Sequence, residues 1–257
     1  MQRRHQAATT VIIREFTDPR LVAIYDTVNA YGAAAQPDFY AQLAAEVGAR
    51  VIVDLGCGTG LITRQLARLG YRMIGVDPAP AMLDVARQRP FGDRVEWIDG
   101  DASALGTPDA DLAIMTGHVA QFFLTDKGWH AALAALHAAL RPDACLAFET
   151  RNPDAREWEN WNCDARWSSD DPRFGRIETW SEVHDMRDSI VSYTIHYVFV
   201  SSGEELISPC KLRFRTEHEL TESLTDGGFA VERVHGDWDR RPAGSATREL
   251  IIVARRL

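Results

Sequence analysis

Seven residues, Asp54-Leu55-Gly56-Cys57-Gly58-Thr59-Gly60, leave a β-branched run and enter a helical period through three glycines spaced by two. A turn of that kind lets backbone approach a ligand and aims the first N–H groups of a helix at an acceptor group. The dinucleotide fingerprint is G-x-G-x-x-G; here the third glycine comes one position early and Leu61 takes the sixth place, which counts against a pyrophosphate. Asp77 ends the next apolar run, where a carboxylate accepts both hydrogen bonds of a ribose diol. His118 directly follows a later apolar run and is the candidate general base or substrate contact, because ligands of open α/β sheets bind beyond the carboxyl ends of the strands. Gln121, Arg151 and Asn152 belong to the same rim as candidates for binding a polar substrate.

The elements that must position these residues alternate in type. Val51 to Leu55, Tyr71 to Val76, Arg94 to Ile98, Asp111 to Met115 and Cys145 to Glu149 read as strands. Leu61 to Leu69, Pro80 to Arg89 and Asp126 to Leu140 carry helical periods between them. Strand-helix alternation predicts an α/β fold: a Rossmann-like, doubly wound, mostly parallel sheet. Thr216 to Glu219 is a capping box that opens a helix ending at Gly227-Gly228. Phe229 to Val234 and Leu250 to Ala254 are joined by a loop too short for a crossover helix, so they form an antiparallel C-terminal hairpin and complete seven strands.

Between the fifth strand and that helix the period is lost. Arg151 to Pro172 holds Trp158, Trp161 and Trp167, after which Arg176 to Val183, Ile190 to Val200 and Leu206 to Phe214 predict an inserted antiparallel β meander of about three strands. The expected partition is a core of residues 1–149 and 216–257 with a substrate lid at 150–215. Tyr193 and Tyr197 share one face of the middle strand and are substrate candidates, whereas His196 points the other way, toward solvent. The tryptophans of the insertion either wall a substrate or supply the core that a small meander needs.

Five stretches, VIVDLGCGTG (51–60), GVDPAPAMLDVAR (75–87), DGDASAL (99–105), DLAIMTG (111–117) and LRPDACLAFE (140–149), resemble the class I S-adenosylmethionine-dependent methyltransferases in order and spacing. The resemblance covers roughly residues 30–149 and 215–257. It implies S-adenosyl-L-methionine as cofactor, with Gly56, Cys57, Gly58 and Gly60 facing its methionine part and Asp54 orienting that turn and the ammonium group. It further implies Asp77 on the ribose hydroxyls, Pro78 and Met82 on the adenine, Gly100, Asp101 and Ala102 at the adenine amino edge, and Thr116, Gly117 and His118 beneath the sulfonium. Tyr25, with Asp26 and Tyr31, resembles the helix that in many relatives closes over the cofactor. Ala79 and Asp143 depart from a frequent Ser and a frequent Gly, and neither removes a ligand-contacting group.

The implied reaction is in-line methyl transfer to a small-molecule acceptor, nitrogen or oxygen before carbon, in which alignment contributes on the order of 7 to 11 kcal/mol. The 257 residues carry 28 Lys and Arg against 37 Asp and Glu, a net charge of −9, which argues against nucleic acid and anionic membranes as partners. The turn after the fourth strand also lacks the Asn/Asp-Pro-Pro-aromatic pattern expected for nucleobase amino groups. No apolar run approaches the roughly 20 residues of a membrane span, and the stretch after Arg3 and Arg4 lacks an apolar segment of signal length, so cytoplasmic localisation is expected. The four cysteines form no CxxC pair and are expected to be reduced thiols, with no metal site. Two rival readings are a non-catalytic cofactor-binding protein and a nicotinamide-dependent oxidoreductase; the latter leaves the glycine spacing and Asp101 without explanation.

Overall fold

A computed structural model of the chain describes residues 13–29 and 35–257; Arg3, Arg4 and Tyr31 lie outside the described residues. The core runs α1 (Pro19–Val28), α2 (Ala35–Glu46), β1 (Val51–Leu55), α3 (Leu61–Arg68), β2 (Arg72–Asp77), α4 (Pro80–Gln88), β3 (Val95–Asp99), β4 (Ala110–Met115), α5 (Asp126–Ala139) and β5 (Leu140–Arg151). An insertion follows with β6 (Trp167–Asp171), β7 (Gly175–Arg187), β8 (Ile190–Phe199) and β9 (Glu204–Arg213), and the core resumes with α6 (Glu217–Asp226), β10 (Phe229–His235) and β11 (Glu249–Arg256).

The core strands form one seven-stranded sheet in the order β10-β11-β5-β4-β1-β2-β3, antiparallel only where β11 pairs with β5 and β10. Strand alternation sends successive residues to opposite faces. Ile52, Leu112 and Ile114 pack under α2 and α3 with Tyr40, Leu43 and Leu66, while Val53, Ala113 and Phe148 pack with Trp129, Leu133 and Leu136 of α5. The chain winds outward through β1, β2 and β3, then returns to β4 on the other side of β1. Its switch point therefore lies between β1 and β4, and the carboxyl ends of both open onto one crevice.

Local chemistry sets the ends of these elements. The Thr125 hydroxyl accepts from the Gly128 amide to start α5, and Thr216 and Glu219 form the expected reciprocal box at α6. Pro80 opens α4 at a position where its missing N–H is not needed. β5 begins at Leu140, earlier than expected, because Leu140 pairs with Ala110 before Asp143 turns the chain at φ +62° and the register shifts to Cys145 opposite Leu112.

The insertion forms a four-stranded antiparallel sheet, β6-β7-β8-β9, one strand more than expected. β6 escaped the sequence pattern because Trp167-Ser168-Ser169-Asp170-Asp171 is an edge strand with little apolar content, exposed along most of its length. On β8 the alternation holds: Val191, Tyr193, Ile195, Tyr197 and Phe199 are buried. His196 lies on the face opposite those tyrosines, as expected, but its exposure to solvent is corrected: it is half-buried, its ring stacks on Trp180 at 4.6 Å and its Nδ1 lies 2.6 Å from Glu205 Oε1.

Helix α1 is wedged between the two sheets. Leu21, Ile24 and Val28, at helical spacing, pack on the buried face of the inserted sheet, whereas Val22 and Tyr25 pack on Ala79 and Met82 of the core. Asp18 caps its start by accepting from the Arg20 amide, and Arg20 pairs with Glu204 of β9 at 2.6 Å. No helix among the described residues is long and apolar enough to cross a membrane.

Candidate functional site

The glycine turn is shaped by what surrounds it. A Cβ on Gly56 would meet Val119 Cγ2 at 2.5 Å, and one on Gly60 would meet Trp97 Cη2 at 2.4 Å, so both are needed for close packing. Gly58 differs: it sits at φ +54° with only Met82 Cε at 3.4 Å from its notional Cβ. Its amide donates to Asp77 Oδ2 at 2.8 Å, and the Ala79 amide donates to Asp77 Oδ1 at 2.9 Å. Each Asp77 oxygen thus has one donor and room for another. Burial raises this carboxyl above the ordinary Asp value, and the two amides oppose that rise.

Behind the turn, Asp54 is fully buried; its Oδ2 accepts from the Thr63 hydroxyl at 2.6 Å, and Oδ1 has no partner among the described residues. Burial pushes its carboxyl up to about 7. In front of the turn, the Thr59 hydroxyl donates to Asp26 of α1 at 2.6 Å, and Arg89 at the end of α4 pairs with the same carboxylate. Tyr25, on the same helix, lies edge-on to Phe16 and packs beside Met82. Pro78 is exposed at the mouth while Met82 is 2% exposed. The Gly100 amide donates to the Asp77 carbonyl at 3.1 Å; Asp101 is exposed, caps the turn before buried Ala102, and is held low by hydrogen bonds from Ser103.

The turn after β4 rests on a carboxylate that the sequence reading missed. Glu149, fully buried at the end of β5, accepts through Oε1 from the Gly117 amide, from the His118 amide at 3.3 Å and from Gln36 Nε2 at 2.5 Å, and through Oε2 from the Tyr40 hydroxyl. Its only sequence signal is an acidic residue closing an apolar strand. Thr116 and Gly117 are thereby fixed at the crevice between β1 and β4. His118, at φ +62°, places Nε2 at 3.0 Å from Glu249 Oε2 of β11, a second missed carboxylate. Burial and the nearby Arg151 lower the His118 pKa to about 3, and burial pushes Glu249 up to about 7. His118 is therefore held as a neutral imidazole on Glu249, and burial makes it a weaker base than a free imidazole.

Toward the inserted sheet, Arg151 donates to Gln121 Oε1 at 2.9 Å and its guanidinium lies 5.4 Å from the Trp161 ring centre. Trp161 in turn packs on Tyr193 at 4.9 Å. Tyr197 donates to Glu15 Oε1 at 2.6 Å. These residues lie together between α1, the turn at Val119–Phe122 and the inserted sheet. Asn152 does not join them as a substrate ligand: its Nδ2 donates to the carbonyls of Gly244 and Thr247, and its Oδ1 accepts from the Asp154 amide. Both N–H donors of its amide are committed to tying β5 to the C-terminal loop. Trp158 supplies core, packing on Phe214 at 4.5 Å, and Trp180 faces outward under Arg166. All four cysteines are free thiols, and no cluster of three metal-ligating side chains occurs among the described residues.

Residues 52–143 match the family model described as a methyltransferase domain. The chain is 34% identical over 143 residues to malonyl-[acyl-carrier protein] O-methyltransferase of Serratia marcescens, a match covering 49% of this chain and 54% of that enzyme. It is 25% identical over 211 residues to the cypemycin N-terminal methyltransferase of Streptomyces sp, covering 80% and 83%. Its fold is similar to that of the CcbJ methyltransferase from Streptomyces caelestis, with a TM-score of 0.73 at 20% identity over 87% of this chain and 96% of that one. The first two curated relatives, both O-methyltransferases, are spanned over only 36% and 54% of their own length.

Proposed function

We propose that this chain, a class I methyltransferase in fold and in its domain at residues 52–143, transfers a methyl group from S-adenosyl-L-methionine to a small-molecule acceptor held under the inserted sheet. The observation that carries the reading is the joint state of Asp77 and the glycine turn. A buried carboxylate already fixed by two amides points spare lone pairs at a crevice, beside a glycine whose open side a Cβ would fill. The donor set fits the cofactor: the orphaned Asp54 Oδ1 suits the turn amides or an ammonium, Asp77 suits a diol, and Met82 with Pro78 suits an adenine face. Gly56, Cys57 and Gly58 would line the methionine part, Gly100, Asp101 and Ala102 the adenine edge, and Tyr25 the cover. When bound, the cofactor supplies a methyl carbon activated by positive sulfur.

The protein's share is alignment and exclusion of water. Glu149 holds Thr116 and Gly117 rigid against the crevice, and Asp26 latches α1 over the turn. His118, neutral and tied to Glu249, acts as a fixed hydrogen-bonding wall in place of a base. Gln121, Arg151, Tyr193 and Tyr197 line the acceptor space. In this reading residues 150–215 form the lid and residues 1–149 and 216–257 the cofactor-binding core. Calorimetric titration with S-adenosyl-L-methionine and with its demethylated product tests the assignment. Micromolar binding of both is expected; binding of neither refutes it.

A further inference from the structure

Two polar side chains in the proposed acceptor space have hydrogen-bonding capacity left over by the described residues, a carboxylate oxygen of Glu15 and the amide nitrogen of Gln121, the latter sealed from solvent. Glu15, just before α1, is 6% exposed; its Oε1 accepts from the Tyr197 hydroxyl at 2.6 Å and from Asn29 Nδ2 at 3.2 Å. No donor among the described residues reaches its Oε2, and no Lys, Arg or His among them pairs with it. Gln121 is fully buried; Arg151 occupies its Oε1, while Nε2 has no partner among the described residues. The elements that carry them touch, since the Phe16 ring packs on Phe122 at 5.7 Å and on Tyr25 at 5.9 Å. Tyr25 also bridges this space to the proposed ribose carboxylate, its phenol lying within the influence of both Glu15 and Asp77.

An ionised carboxylate taken out of water without a cation is costly, and a partner that restores the charge balance is bound strongly. An ammonium meets that need. A neutral alcohol would leave Glu15 uncompensated, and a carboxylate would be repelled by it. Gln121 Nε2 asks for an acceptor on the same molecule.

Building on the methyltransferase reading, we infer that the acceptor is a small amine, bound as its ammonium by the Glu15 carboxylate, with an oxygen of the same molecule accepting from Gln121. Glu15 takes one N–H proton, so that the neutral nitrogen forms the new bond to the methyl carbon as the methyl–sulfur bond breaks and sulfur is left a neutral thioether. Burial pushes Glu15 up while Tyr197 and Asn29 draw it down, the position of a carboxylate that gains from an incoming cation.

The test uses a matched pair of ligands, trans-2-aminocyclohexanol and trans-1,2-cyclohexanediol, titrated calorimetrically into protein saturated with the demethylated cofactor. The amine is expected to bind about tenfold or more tighter than the diol, the gain of one charge-assisted hydrogen bond. In Glu15→Gln the preference falls to within about threefold, and in Glu15→Asp, which keeps the charge, it persists at reduced affinity. Equal binding of the two ligands, no binding of the amine at about 10 mM, or an amine preference that survives in Glu15→Gln overturns the inference. Binding of the demethylated cofactor is measured first in each variant. Its loss in the wild-type chain would overturn the methyltransferase reading itself, and its retention in the variants shows that the core is folded. Should Glu15→Gln fail to fold, the wild-type ligand pair and Glu15→Asp decide the matter.

Discussion

Asp77 is the residue on which cofactor binding is most exposed to test. Asp77→Ala removes the proposed acceptor of two ribose hydroxyls and leaves the amides of Gly58 and Ala79 without their partner at 2.8 and 2.9 Å. A hydrogen bond to a charged group contributes about 1.5 to 3 kcal/mol net, so losing even one predicts affinity for the demethylated cofactor weaker by roughly 10- to 150-fold. Asp77→Asn is the sharper variant because it keeps the shape. Each oxygen of Asp77 accepts from a different amide, so the new NH₂ must face an N–H donor whichever way it is flipped. Asp77→Asn should therefore lose about as much affinity as Asp77→Ala. The pH dependence has a defined sign. Burial raises this carboxyl, ribose hydroxyls favour its ionised form, and affinity should decline as pH falls, beginning above the usual Asp range near 3.9. Calorimetry at pH 5 and pH 8, with thermal unfolding to confirm folding, reads both effects. Cofactor affinity within twofold of wild type in Asp77→Asn would refute the placement of ribose at this carboxylate.

Other consequences are equally open to measurement. Glu149→Gln places an NH₂ among donors from Gly117, His118, Gln36 and Tyr40, and is expected to destabilise the fold by about 2 to 4 kcal/mol. Denaturant unfolding that changes by less than about 0.5 kcal/mol contradicts it. His118 should remain neutral in ring-nitrogen NMR shifts through pH 5, its pKa being held at about 3; a midpoint between 6 and 7 refutes that. Because its folded pKa is depressed, the stability it contributes is full above the unfolded value of 6.5 and drains away as pH falls toward 3. Gly60→Ala combines φ +71° with a Cβ 2.4 Å from Trp97, so unfolding temperature should drop by roughly 5 °C or more, and an unchanged midpoint would show that the turn yields.

The parallel core was legible because β1, β2 and β4 are buried along nearly all their length and read as apolar runs, while edge strand β3 alternates, and because the Thr216 box marks the start of α6. The proposed cofactor side rests on local sequence too, since Gly56, Gly58, Asp77 and Asp101 lie in short stretches, and the turn and its amide bond to Asp77 are made within 20 positions. The acceptor side is different. Glu15 and Tyr197 meet across 182 positions of sequence, and Glu149 reaches Tyr40 across 109, so neither pairing leaves a local pattern. Asn152 looked like a rim residue because it follows a strand end, but only the packed C-terminal loop shows its amide bonded to Gly244 and Thr247. Edge strand β6 lacked an apolar face to betray it, and His196 was drawn onto Trp180 by a stacking contact that alternation alone does not register.

Helix α1 touches both the glycine turn, through Asp26 and Thr59, and the inserted sheet, through Leu21, Ile24 and Val28. One element would therefore be both roof of the proposed cofactor site and wall of the proposed acceptor site. Under the proposed function this dictates a sequence of events: the wall stands only after the roof has closed, so the cofactor enters first, the acceptor second, the methylated product departs before the roof lifts, and the spent cofactor leaves last. Product-inhibition kinetics read that order directly. The demethylated cofactor should compete with S-adenosyl-L-methionine and not with the acceptor, and competition against both would mean that the helix does not couple the two chambers.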